Sequence, residues 1–119
     1  HSHALLDRAD GAVAVAELDQ SIGLLEDRVG VAPQHFAYPK GVAGSPAAAK
    51  AVRRRFTSAA LADVGVNRYG RTNPYRLARS PIQNSDGMRW FARKLRGGLA
   101  LEGTMRRVLN HRRYAGRVS

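Results

Sequence analysis

Residues 35–64 read HFAYPKGVAGSPAAAKAVRRRFTSAALADV, and the order of local signals in them decides the fold. HFAYP (35–39) is β-prone and bounded by Pro33 and Pro39, which predicts a buried strand of about four residues. KGVAGS (40–45) is a loop. Ser45-Pro46 then opens a helix, with the serine as N-cap and the proline at the first helical position. This helix runs through AAAKAVRRR to about Phe56. SAALADV (58–64) predicts a second strand, ended by Gly65. A strand, a helix and a strand in series favour a parallel α/β sheet or barrel.

Working outward toward the N-terminus, Val13–Arg28 has a helical period. Leu18, Ile22, Leu25 and Val29 recur on one face, Glu17, Asp19, Glu26 and Asp27 decorate the rest, and Gly30 is the stop. ALLDRAD (4–10) reads as a loop or short turn closed by Gly11. Toward the C-terminus, residues 65–75 are loop-like and 76–82 a short extended piece. Ser85 or Asp86 caps a third helix with Met88, Phe91 and Leu95 on one face, ended by Gly97-Gly98. Residues 99–113 suit a last helix carrying Leu101, Met105, Val108 and Leu109, before a frayed end. No internal repeat is visible.

Composition narrows the function classes. The chain has 119 residues, enough for one small domain with a single core. With 44% hydrophobic and 24% charged residues it is globular rather than disordered. The absence of cysteine excludes a disulfide framework, a Cys-ligated zinc finger and a thiol nucleophile. No apolar run approaches the ~20 residues of a bilayer span, and no secretory leader is recognisable. The first residue is His1 rather than Met, so we read the sequence as a piece lacking an N-terminal part. The charge is lopsided. Residues 1–51 carry four Lys/Arg against six Asp/Glu, net −2, and residues 52–119 carry sixteen against three, net +13. That second field suits nucleic acid, an anionic glycan or anionic lipid head groups.

Three groups of residues bear chemistry. His1 and His3, one residue apart, could both reach a divalent ion from an extended strand, or be idle at a solvated terminus. HFAYPKG places its last residues at the carboxyl edge of a sheet, where α/β folds put their sites, and Gly41 permits close approach of a ligand. The plain alternative is an ordinary strand exit. The basic set Arg53–Arg55, Arg68, Arg71, Arg76, Arg79, Arg89, Arg93, Lys94 and Arg96 is interleaved with Tyr69, Tyr75 and Trp90, a composition that binds single strands. It lacks every standard nucleic-acid motif, which makes a solvated or envelope-facing surface the better reading and nucleic acid the lesser partner. Walker, GxGxxG, GxSxG and HExxH signatures are absent, and His111 sits in an Arg-rich stretch as a surface residue.

Taken together, these segments resemble the polysaccharide deacetylase (NodB-homology) family of metal-dependent carbohydrate esterases. HSHALLDR looks like the family's second motif, a His-x-x-x-His pair followed by a loop with a Leu three residues on. HFAYPKG looks like the third motif, often FAYPYG. AVAELDQSIGLLEDRVGVAP is similar to the family's EI..S...LE...G..P helix, and LADVGVNRYGRTNPYRLARSPI to the end of the domain. The likeness covers about residues 1–95.

The resemblance implies the C-terminal half of a distorted (β/α) barrel over residues 1–96, followed by a basic, helical tail over 97–119. It implies a substrate class, acetylated polysaccharide or amino sugar, and a reaction, hydrolysis of an acetamido group by metal-activated water. A divalent metal, usually zinc, is held in the family by one Asp and two His, with a second Asp as general base. His3 matches the second metal His. The first then falls before residue 1, and His1 is an intervening residue and a secondary candidate ligand. Phe36, Ala37, Tyr38, Pro39 and Gly41 match the third motif, with Phe36, Tyr38, Pro39 and Gly41 as substrate-binding residues. Lys40, where many members have Tyr or Phe, offers its backbone N–H as the oxyanion donor. The paired-Asp first motif and a final Leu-x-x-His motif have no match. The piece alone is therefore expected to be inactive. Two competing readings are a non-catalytic basic module for nucleic acid or an anionic envelope polymer, and a degenerate deacetylase domain kept as a glycan-binding or assembly partner.

Overall fold

The computed structural model describes residues 4–96, so the His1 and His3 candidates, His111 and the predicted 97–119 tail lie outside the described residues. Helix α1 spans Gly11–Val29. It starts ahead of the expected Val13 because the Asp10 carboxylate accepts the Val13 N–H at 2.8 Å, which draws Gly11 and Ala12 into the first turn. Gly30 ends it at φ 72°, donating its N–H to the Glu26 carbonyl at 2.9 Å.

Strand β1 is His35–Ala37, helix α2 is Pro46–Arg55, strand β2 is Ser58–Ala60 and helix α3 is Gly87–Leu95. Ser45 caps α2, accepting the Ala48 N–H. β1 and β2 run parallel, Phe36 opposite Ala59, with α2 as the crossover. On the far side of β2, Leu77 forms a parallel bridge to Ala60. Its N–H donates to the Ala59 carbonyl at 3.0 Å, and its carbonyl accepts the Leu61 N–H at 2.9 Å.

Several expectations are corrected. β1 is not buried: His35 and Ala37 are exposed and Phe36 half-buried, because no strand among the described residues pairs with its second edge. β2 keeps three of the seven residues expected, since its register partner β1 ends at Ala37, opposite Ala60, before the turn at Pro39–Gly41. On α1, Leu18 is buried and Ile22 packs on the core, but Leu25 and Val29 are 44% and 65% exposed. The cause is length: 19 residues of helix extend about 28 Å, while three residues of strand extend about 10 Å. Among the described residues the two parallel strands and the one bridge form an open sheet.

The core lies between α1, α2 and the sheet. Leu6, Leu18, Tyr38, Val52, Phe56 and Leu61 fill it, and buried Ala14, Ala48, Ala51 and Ala59 let the layers approach closely. Phe36 bridges the aromatic part, edge-on to Tyr38 at 5.2 Å and tilted against Phe56 at 5.1 Å. Arg55 clamps α2 to α1, its Nε and Nη2 donating to the two Asp19 oxygens at 2.5 and 2.9 Å. Asp86 precedes α3 without capping it. Its carboxylate accepts the Gln83 N–H at 2.7 Å and the Lys94 ammonium at 2.6 Å.

Candidate functional site

The carboxyl end of β1 opens on a cleft of about 180 Å³, lined by Ala4, Leu6, Glu17, Leu18, Ser21, Phe36, Ala37 and Pro39. Three separate stretches of sequence build it. The segment after His3 gives Ala4 and Leu6, α1 gives Glu17, Leu18 and Ser21, and β1 with its exit gives the rest. Hydrogen bonds fix the first stretch in place. The Leu6 carbonyl accepts the Ser45 N–H at 2.8 Å, and the Ser45 hydroxyl donates to the Ala9 carbonyl at 3.0 Å. The N-cap of α2 thus also tethers the loop that walls the cleft.

The walls are mainly apolar, with Glu17 and Ser21 as polar groups. The volume is below the ~300 Å³ at which drug-sized pockets begin, so the cleft suits one small group rather than an extended ligand.

Of the four predicted substrate residues, Phe36 and Pro39 line the cleft, whereas Tyr38 and Gly41 do not, nor does the predicted oxyanion donor Lys40, which follows Pro39. Tyr38 is 4% exposed and belongs to the core. Burial pushes its phenol pKa up, against the opposing pull of Arg53 and Arg76. Gly41 has a structural reason for being glycine. At φ 69°, a Cβ there would sit 2.5 Å from the Ala62 backbone nitrogen, so the close approach is to Ala62. The Gly41 carbonyl accepts the Ala62 N–H at 3.1 Å.

Lys40 is the one positive-φ residue other than glycine among the described residues, at φ 53°. It turns the chain sharply after Pro39. The Gly41 and Val42 amides donate to the Tyr38 and Pro39 carbonyls inside that turn, at 2.9 and 3.3 Å. They are therefore occupied by the turn itself. The Lys40 side chain is exposed.

Glu17, which the charge pattern places on the polar side of α1, and Ser21, for which the sequence shows no role, both line the cleft. Their signal was the helix pattern EI..S, of which they are the Glu and the Ser, one turn apart and on one face. His35, the one histidine among the described residues, lies at the opposite end of β1. Its Nδ1 is 2.9 Å from the Ser58 hydroxyl.

Imidazole suits zinc. However, no group of three His, Cys, Asp or Glu gathers to hold an ion among the described residues. In the sequence His3 directly precedes cleft-lining Ala4 and His1 lies two residues earlier, both outside the described residues. No helix among the described residues is long and apolar enough to cross a membrane. No family model, curated protein or solved structure matches the chain.

Proposed function

We propose that this chain is part of a metal-dependent polysaccharide deacetylase, hydrolysing acetamido groups on a glycan, and that the cleft beside β1 seats the acetyl arm. One observation carries the reading. The three segments that resemble the family's second motif, its helix and its third motif all contribute to one cleft.

In this reading Leu6, Leu18 and Phe36 shield the acetyl methyl from water, and Pro39 fixes the strand exit. Glu17 and Ser21 orient the amide by hydrogen bonding. The Lys40 backbone N–H donates to the oxyanion that develops on the carbonyl. His3 would hold the metal, with His1 beside it. The metal, when bound, lowers the pKa of its water and polarises the acetyl carbonyl. The remaining carboxylate ligand and the general base have no match in these 119 residues, so the chain binds without turning over.

The test is an NMR titration of the ¹⁵N-labelled chain with zinc and with an N-acetylglucosamine oligosaccharide. The glycan is expected to shift the Ala4, Phe36 and Ala37 amides, and His3→Ala to abolish the zinc response. An inert cleft together with zinc binding indifferent to His3→Ala would overturn the reading. The competing basic module has its own support in the exposed Arg53, Arg54, Arg89, Arg93 and Arg96. It requires affinity for a polyanion that falls steeply with salt and needs no metal.

A further inference from the structure

Helix α3 has a face that the rest of the described structure leaves uncovered. Met88, Phe91 and Leu95 are 79%, 36% and 69% exposed. At positions i, i+3 and i+7 they fall within about 60° of one another around the axis. Arg96 and Arg89 are exposed about 80° and 100° round the axis from Met88 on one side of this strip, and Arg93 lies farther round at about 140°. No acidic residue occurs from Gly87 to Leu101.

The opposite flank is tied down. Lys94 is buried, its ammonium donating to the Pro81 carbonyl at 3.0 Å and to Asp86 at 2.6 Å. The helix is therefore held through the side that carries Lys94, a quarter-turn from the strip, and the strip and the arginines stay exposed. Arg93 also stacks over the Trp90 ring at 5.4 Å, an aromatic-cation pair suited to the head-group layer.

We propose that α3 docks the protein onto an anionic lipid surface, lying in the interface plane with Met88, Phe91 and Leu95 immersed and the arginines on lipid phosphates. The charge selects an anionic partner. The apolar strip selects a lipid rather than a nucleic acid, because a polyanion in water gives Met88 and Leu95 nothing to enter. Nine residues extend about 13 Å, which rests on a bilayer and does not cross it. This surface is separate from the cleft and does not depend on the deacetylase reading.

The test uses the whole chain with phosphatidylcholine vesicles, with and without phosphatidylglycerol, followed by flotation. The chain is expected to float only with the anionic vesicles. Met88→Ser/Phe91→Ser/Leu95→Ser and Arg89→Gln/Arg93→Gln/Arg96→Gln should each weaken binding about tenfold or more. All six positions are exposed, and circular dichroism checks that each variant folds. The chain has one tryptophan, Trp90. In a Trp90→Phe/Phe91→Trp variant, emission should shift to the blue on anionic vesicles more than it does from Trp90. Vesicle binding unchanged by the serine variant would overturn the proposal, leaving a charge-only attraction. So would binding of a single-stranded DNA oligomer without binding of vesicles, or self-association removed by the serine variant.

Discussion

Lys40 and Gly41 sit side by side with φ 53° and 69°, two consecutive residues in the left-handed region. Only Gly41 is suited to it. A side chain in that region costs about 1–2 kcal/mol, and at position 41 it would also strike the Ala62 backbone. Lys40→Gly is therefore expected to raise stability by up to about 1 kcal/mol, the gain being reduced by glycine's larger unfolded-state entropy. Gly41→Ala should lower it by about 2 kcal/mol or more. Urea unfolding of the two variants checks both signs. The sequence makes a tight exit from β1 legible, because Pro39 and Gly41 are local signals. It does not reveal that Gly41 packs on Ala62, a contact across 21 positions of chain (62 − 41).

Among the elements, α1 and α2 are joined by a charge pair with a pH signature. Hydrogen bonding from Arg55, reinforced by its charge, holds the Asp19 carboxyl below its ordinary pKa. A carboxyl lowered in the fold adds stability above its unfolded pKa and loses it as pH falls through the folded value. Asp19→Asn should accordingly be less stable than the parent at neutral pH, the gap closing as pH falls below about 4 and the parent's Asp19 protonates and loses its ion pair. Urea midpoints measured against pH show whether the two curves converge on the acid side.

The attachment of α3 is a stronger dependence. The Lys94 and Asp86 side chains are 2% and 14% exposed, so truncating one partner leaves a nearly buried charge. Lys94→Ala should cost about 3 kcal/mol. Amide exchange is then expected to accelerate in Phe91–Leu95 while α1 keeps its protection, which separates local melting from global loss. The start of α2 and the end of α1 are legible because their caps, Ser45 and Gly30, act on the turns beside them, whereas the Asp10 cap places the start of α1 earlier than its apolar period does. Strand length and burial are not legible, because both depend on neighbours elsewhere in the chain. β1 reads as a buried strand by composition, and one paired edge makes it half-exposed.

At the scale of the whole molecule, the candidate site is an assembly of distant segments. The Phe36-to-Pro39 part was legible as a strand exit, and Glu17 and Ser21 only as letters of a helix pattern. What brings them together is the tether from Ser45 to the carbonyls of Leu6 and Ala9, and no periodicity announces a bond across 36 positions. The second edge of β1, open among the described residues, has a further consequence, for the behaviour of concentrated solutions. An unpaired strand edge is a template for pairing with another molecule, and here a net charge of +11 holds like molecules apart. Screening shortens the reach of that repulsion to about 8 Å at physiological ionic strength, while edge-to-edge hydrogen bonds are unaffected. Added salt should thus promote colloidal association instead of dissolving it, visible as light scattering that rises with sodium chloride at fixed temperature. Scattering that stays flat or falls would show that the edge is guarded by something other than charge. The protein's cations are on this account its own dispersant, and ionic strength is the variable that sets its shelf life.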